Sequence, residues 1–242
     1  EKSKFIRTIK EIGSGHTWSD TSGFSFNFRG LIKLGGLSFN TVDGFVYGTD
    51  FRITKTGKDG KSLSFFPAFR YAFSRQQLMW KLNVQYRFDR MDQRQIYLRT
   101  GIGSTDINNN GGINAFPNSI TSLFLRRNYM KLYESSYVTS GFRTEVTNGL
   151  YGDISATYEY RRLLSNTTNF SFIKSSRDYT ENVPDNPFLK NTADPINLLQ
   201  SQRHLNIMAT VTYTPRQRYR IRREIKVPLG SEWPTFSLTW KH

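Results

Sequence analysis

The 242-residue sequence predicts an all-β fold, an antiparallel transmembrane β-barrel with nine or ten strands in view. Three observations predict it. Apolar and polar residues alternate with period two over most of the chain. Several alternating segments run 11–13 residues, where globular strands usually have about 5–6 and a tilted membrane-crossing strand needs about 9–11. The apolar faces are aromatic, with 4 Trp, 13 Tyr and 19 Phe making up 15% of the chain.

The segments follow in order. Residues 23–41 are strand-like but interrupted by Gly30, Gly35 and Gly36. From Gly44 to Thr54 one face carries Phe45, Tyr47 and Phe51, and the other carries Asp50 and Arg52. Ser62–Ser74 sets Leu63, Phe65, Phe69, Tyr71 and Phe73 opposite Ser62, Ser64, Arg70 and Ser74. After a polar Arg75-Gln76-Gln77 turn, Trp80, Leu82, Val84, Tyr86 and Phe88 alternate with Lys81, Asn83, Gln85 and Arg87. Together these two segments make a long hairpin. Gln95–Gly103 alternates likewise, and 136–147 and 150–163 flank Asn148-Gly149, the strongest short hairpin signal in the chain. Residues 204–213, a basic strand at 218–227 and a final run at 235–241 complete the set. The aromatic and aliphatic residues named are read as lipid-facing; Arg52, Arg70, Lys81, Arg87, Arg218, Arg220 and Arg222 are read as lumen-facing.

Two long stretches break the pattern, 105–135 and 164–203. Two strands separate them, so both leave the sheet at one end. Asn148-Gly149, the turn after Tyr213, Lys55–Lys61 and Asp89–Arg94 fall at the other. Short turns face the periplasm in bacterial outer-membrane barrels, so the long stretches are expected to be external loops. Within the first, residues 119–133 could form a short helix capped by Ser119 or Thr121. Residues 1–22 are set apart as an N-terminal segment and 23–242 as the barrel portion.

Composition excludes a good deal. The chain has no cysteine, hence no disulfide framework and no thiolate chemistry. No apolar run approaches 18 residues and the mean hydropathy is −0.56, so a helical membrane span is ruled out. The start, Glu-Lys-Ser-Lys, has no secretory pattern, and any signal peptide is expected to lie outside this sequence. The net charge of +15 first suggests nucleic acid. The cations, however, distribute over polar strand faces and loops, and no nucleic-acid-binding module is evident.

No catalytic constellation is visible. His16, His204 and His242 lack metal or catalytic spacing. Asp153 and Glu159 could be close to Arg143 or Arg161 across strands, which suits ion pairing in a polar interior better than acid–base chemistry. Gly101-Ile102-Gly103 lacks the third glycine of a dinucleotide loop. Asp106, Asn108, Asn110 and Gly111 match the opening of a Ca²⁺ loop, but position twelve is Pro117 where a bidentate Glu is needed. Asn166-Thr167-Thr168 and Asn169-Phe170-Ser171 fit the glycosylation sequon and are read as polar loop. No cofactor is expected. The basic run Arg216, Arg218, Arg220, Arg222, Arg223 and Lys226 could line a lumen, meet anionic lipid headgroups or bind nucleic acid; lumen lining is preferred because Arg218, Arg220 and Arg222 share one strand face.

Three motifs carry a family resemblance: Asn40-Thr41-Val42-Asp43-Gly44-Phe45, the run Ser122–Glu134, and Pro228–Leu238. They resemble a family of Bacteroidota outer-membrane proteins with an N-terminal carboxypeptidase-regulatory-like domain, whose C-terminal barrel looks like the surface-antigen (BamA/TamA-like) superfamily. The resemblance covers most of residues 37–241. It implies the bacterial outer membrane, contact with outer-membrane lipid and lipopolysaccharide, and a non-enzymatic role beside other envelope proteins in protein insertion or translocation. A passive channel or receptor for a solute, or a soluble β-sandwich binding module, are the alternatives. That superfamily's barrels have sixteen strands and end on an aromatic residue, whereas this chain ends Trp240-Lys241-His242, so it is expected to be a piece of a longer protein whose other segments close the wall.

Overall fold

The structure, a computed structural model, describes residues 11–32, 36–108, 113–173, 177–183, 201–222 and 225–242. Among them run β1 (His16–Ser19), β2 (Phe24–Phe28), β3 (Leu37–Asn40), β4 (Gly44–Thr56), β5 (Ser62–Ala72), β6 (Gln77–Arg87) and β7 (Gln95–Asp106). A helix, α1 (Ala115–Leu125), follows, then β8 (Leu132–Thr147), β9 (Leu150–Leu163), β10 (Gln202–Tyr213), β11 (Arg218–Arg222), β12 (Ile225–Gly230) and β13 (Phe236–Lys241).

The fold is all-β and antiparallel. One 11-stranded sheet runs β1-β2-β4-β5-β6-β7-β8-β9-β10-β13, with β3 also on β4. β2 pairs with the Phe51–Lys55 half of β4 and β3 with the Gly44–Tyr47 half, so the two occupy one position on the same edge. This is the strand expected over 23–41, broken by an excursion that begins near Gly30. Ten positions therefore cross the sheet. Among the described residues the sheet is open, with β1 and β13 at its edges, and these strands form no closed barrel.

Alternation places side chains as the sequence predicts. Leu63, Tyr86, Ile96, Phe142, Ile154, Ala209 and Trp240 lie in one register row across seven strands. The neighbouring row is Phe65, Val84, Leu98, Ser140, Ala156 and Ile207. On the other face Ala68, Lys81, Gly101, Tyr137, Glu159 and His204 form one row. The apolar face is uncovered: Tyr86, Ile96, Leu98, Ile154 and Val211 are exposed, Leu238 is 74% exposed, and Leu63, Phe65, Trp80, Leu82 and Val84 are half-buried. On the polar face the cations Arg52, Arg70, Lys81, Arg87 and Arg99 are exposed too. Buried side chains in the same strands, such as Met79, Tyr97, Thr139 and Ser155, belong to the polar face. That is the inverse of a soluble sheet, whose apolar side turns inward.

Two expectations are corrected. The basic strand at 218–227 is no member of the main sheet: among the described residues β11 and β12 pair only with each other. β10 takes β13 instead, whose Phe236, Leu238 and Trp240 continue its apolar row while the Thr210–Thr239 and Thr212–Ser237 hydroxyls meet at 3.1 and 3.3 Å on the other face. Alternation is a local signal and cannot choose between two candidate partners. The helix also starts earlier than expected, with Asn114 as its N-cap residue and Pro117 in its first turn, where proline is tolerated. Ser119 is not a cap; its hydroxyl accepts the Phe39 N–H at 2.7 Å and donates to Ala115 O at 2.6 Å.

Candidate functional site: a polar sheet face capped at one end

The polar face is built by alternation and organised by charge. Arg143 and Asp153 are register partners on β8 and β9, 2.6 Å apart, and the Tyr97 hydroxyl donates to Asp153 at 2.8 Å. Glu159 accepts from Arg161 at 2.7 Å and from the Ser135 hydroxyl at 2.5 Å. The expected cross-strand pairing is therefore formed at Asp153, whereas Glu159 pairs with Arg161 two residues along its own strand. Across β4–β7 the balance differs. Arg29 meets Asp50 at 3.1 Å, but Arg52, Arg70, Lys81, Arg87 and Arg99 have no carboxylate at ion-pair distance among the described residues. Arg52 and Arg99 lie over the rings of Phe66 and Tyr97. A cavity of about 370 Å³ opens here beside Arg29, Arg52 and Arg70.

At the long-loop end β7 parts from β6 beyond the Trp80–Ile102 pair while staying with β8 as far as Asp106–Leu132. The turn Asn40–Gly44 is built into that end. Asn40 Oδ1 accepts the N–H groups of Val42 and Asp43, closing the turn. Gly44 has φ +71°, and a Cβ there would collide with the Ser74 side chain, so only glycine fits. Asp43, 2% exposed, accepts from the Ser104 hydroxyl at 2.9 Å and meets Arg75 at 3.1 Å. Arg75 reaches on to Glu134 at 3.1 Å, and Glu134 also takes Arg162 at 2.8 Å.

The described parts of the long connections fold over this turn as a hydrogen-bonded cap. Asn118, fully buried on α1, donates to Asn128 Oδ1 at 2.8 Å and accepts the N–H groups of Tyr129 and Met130. Asn128 donates to Thr41 Oγ1 at 2.6 Å, and Thr41 in turn donates to Asn166 Oδ1 at 2.7 Å. Asn182 bridges Leu132 and Leu164. The Tyr179 hydroxyl donates to Ser122 O at 2.6 Å and Phe170 O at 2.9 Å, and burial pushes its phenol above the ordinary range. None of these Asn, Thr and Tyr residues was singled out as a site from sequence. Asn166 was read as part of a sequon, yet its amide is engaged within the cap.

The opposite end is tied down by a second buried pair. Lys226 Nζ of β12 lies 2.7 Å from Glu145 Oε1 of β8, with Glu145 1% exposed in its side chain, and Glu145 also accepts the Gly149 N–H at 3.0 Å. Asn148 donates to Gln217 O at 2.6 Å. The β11–β12 hairpin is thus anchored at the short-turn end. There Arg218 pairs with Glu232 at 2.7 Å, and Arg220 and Arg222 are exposed on a hairpin that is no part of the main sheet among the described residues.

The other sequence-predicted residues fall as follows. Phe69, Tyr71, Phe73 and Tyr86 are exposed, and Tyr47, Phe51, Leu63, Phe65, Trp80, Leu82, Val84 and Phe88 are half-buried. Phe45 is set apart, packed against Phe39 and Phe170 of the cap at 5.0 and 5.8 Å. Arg52, Arg70, Lys81 and Arg87 share the polar face. Of the Ca²⁺-loop pattern, Asp106 takes the Asn108 N–H at 3.0 Å, Pro117 is in α1, and Asn110 and Gly111 lie outside the described residues, as does Arg223. Among the described residues no group of three or more His, Asp or Glu is placed to hold a metal.

The arrangement runs from the Asn40–Gly44 turn to β13, and one family model covers it. Residues 10–242 match the model described as the C-terminal domain of a family of unknown function, DUF5686. The chain belongs to this family. Neither a curated protein nor a solved structure matches the chain. The DUF5686 C-terminal domain is therefore represented here by an open antiparallel sheet, an anchored basic hairpin and an asparagine-rich cap. The cap and turn bring together two of the three motifs read from sequence, Asn40–Phe45 and Ser122–Glu134.

Proposed function

We propose that this DUF5686 C-terminal domain is part of the wall of a β-barrel in a bacterial outer membrane, and that it serves as a non-enzymatic component of an envelope protein assembly or translocation complex. The observation that carries this reading is the inverted sheet: exposed apolar rows cross the strands, while the buried strand residues are mostly on the polar face. Soluble monomers rarely leave apolar patches larger than a few hundred Å² in water. Bilayer hydrocarbon is the solvent that makes such a face favourable.

Dimensions agree. Leu78 to Phe88 spans ten residue steps, roughly 33 Å of strand at ~3.3 Å per residue, which at a tilt of about 40° covers roughly the 25 Å of a lipid-facing band. Tyr71 and Trp80 lie toward the long-loop end of the apolar face and Tyr86, Trp240 and Tyr213 toward the short-turn end, with Leu82, Val84, Leu98 and Ile207 between. Amphipathic rings at two levels with aliphatics between suit the two interfaces of a bilayer. The capped end would then face outward and the anchored basic hairpin the periplasm. The open edges β1 and β13 would pair with further strands, and a wall with such a seam can add a client strand edge by backbone hydrogen bonding.

Fractionation tests the location: the protein should resist carbonate extraction and migrate differently on gels before and after heating, and release into the aqueous phase would exclude the wall. Depletion in cells tests the role: accumulation of unfolded barrel proteins supports assembly. A passive channel or receptor is the second reading, favoured by the cavity on the polar face, and would give conductance in planar bilayers without that accumulation.

A further inference from the structure

Charge on the polar face is unevenly compensated, and the imbalance sits where space is available. Over β8 and β9 the carboxylates Asp153 and Glu159 each hold an arginine. Over β4–β6 the one carboxylate, Asp50, meets Arg29, and Arg52, Arg70 and Lys81 have no carboxylate at ion-pair distance among the described residues. Arg29, Arg52 and Arg70 line the cavity of about 370 Å³ against one carboxylate, Asp50. Arg70 and Lys81 line an adjoining one of about 120 Å³ with Asp43, which Arg75 holds. Arg70 is common to both.

The backbone makes room for these side chains. Gly48 is the register partner of Arg70, and a Cβ on it would stand 2.5 Å from Arg70 Cγ. Gly101 is the partner of Lys81, and its Cβ would stand 3.2 Å from Lys81 Cγ. A glycine opposite each long cation leaves its stem clear to lie over the neighbouring strand and carry the charged group into the cavity. Arg52, whose guanidinium lies 4.9 Å from the centre of the Phe66 ring, is steadied on the same side. Cations in excess of the carboxylates beside them raise the local potential and draw an anion. Two guanidinium forks facing one cavity match the planar oxygen pairs of phosphate better than a single carboxylate would.

We propose that the polar face over β4–β6 binds a phosphate-bearing anion, gripped by Arg52 and Arg70 with Lys81 adding charge beside them. The site rests on the polar face alone and not on closure of the sheet, so it stands or falls separately from the membrane reading. The phosphate could belong to a soluble anion or to a lipid headgroup, and the probes separate the two.

Purified protein in detergent is titrated calorimetrically with pyrophosphate and, separately, with short-chain phosphatidic acid. Saturable binding that weakens with salt is expected, and it should fall about tenfold or more in R52Q/R70Q, which removes two charge-assisted contacts. R143Q, whose arginine serves Asp153, should bind as the unaltered protein does. Binding of pyrophosphate assigns a soluble anion; binding of the phosphatidic acid alone assigns a headgroup. Should R52Q/R70Q not fold, R52K/R70K keeps the charges but loses the forks and should still weaken binding severalfold. No binding of either probe, or equal binding by the arginine variants, overturns the site.

Discussion

The guanidinium of Arg75 stands 3.1 Å from the carboxylate of Asp43, joining the turn before β4 to the turn between β5 and β6. The side chains are 10% and 2% exposed, so neither charge has water to fall back on. Glu134 at 3.1 Å and Arg162 beyond it extend the pair into a four-residue relay across the capped end. Breaking a buried pair by removing one partner is costly because the other charge stays buried. Arg75→Gln should therefore destabilise the protein by about 3–5 kcal/mol, read as a lower denaturant midpoint in micelles. Arg162→Gln, whose side chain is 54% exposed, should change it little.

Gly44 makes a second, sharper prediction. Its positive φ and the Ser74 side chain at its vacant Cβ position mean that Gly44→Ala meets both backbone strain and a clash. A loss of about 1–3 kcal/mol follows from the backbone conformation alone. Ser74→Gly in the same chain should recover the steric part of the loss, and unfolding midpoints of the single and double variants measure it.

At the other end, Lys226→Met should release the β11–β12 hairpin from Glu145. Limited proteolysis checks this: cleavage after Arg218, Arg220 or Arg222 should accelerate while the main sheet stays protected. Unchanged cleavage would mean that the Asn148–Gln217 hydrogen bond holds the hairpin by itself.

The cap carries a pH signature through Tyr179. Its phenol is raised by burial and shares its one proton between two backbone carbonyls, so the protonated form is the one the fold favours. A raised folded value means that this stabilisation is fully present below the unfolded phenol value of about 10 and is lost as pH rises through the higher folded value. Hydrogen exchange of the cap amides should therefore accelerate on the alkaline side of pH 10, and Tyr179→Phe should remove that step.

How far the sequence carries to this structure differs by element. The β5–β6 hairpin, the Asn148-Gly149 turn and the partition of connections between two ends are all legible, because alternation and turn chemistry are local signals. The partner of β10 is not, since Arg218–Arg222 and Phe236–Lys241 both alternate and only long-range pairing chooses between them. The cap is hidden for a different reason. Asn118, Asn128, Asn166 and Asn182 look like solvated loop residues, and a sequence does not distinguish an amide satisfied by water from one satisfied by its own chain. The hint available is that the motif Ser122–Glu134 contains Asn128 and the motif Asn40–Phe45 contains its partner Thr41.

The central claim is that the apolar face meets hydrocarbon and the polar face meets water. The chain has no cysteine, so single cysteines can be placed along β6 and spin-labelled without background. In reconstituted vesicles, labels at Trp80, Leu82 and Val84 should be relaxed by oxygen dissolved in the bilayer, and labels at Lys81, Asn83 and Gln85 by a water-soluble nickel complex, alternating residue by residue. Equal access of the nickel complex to both sets would contradict the account.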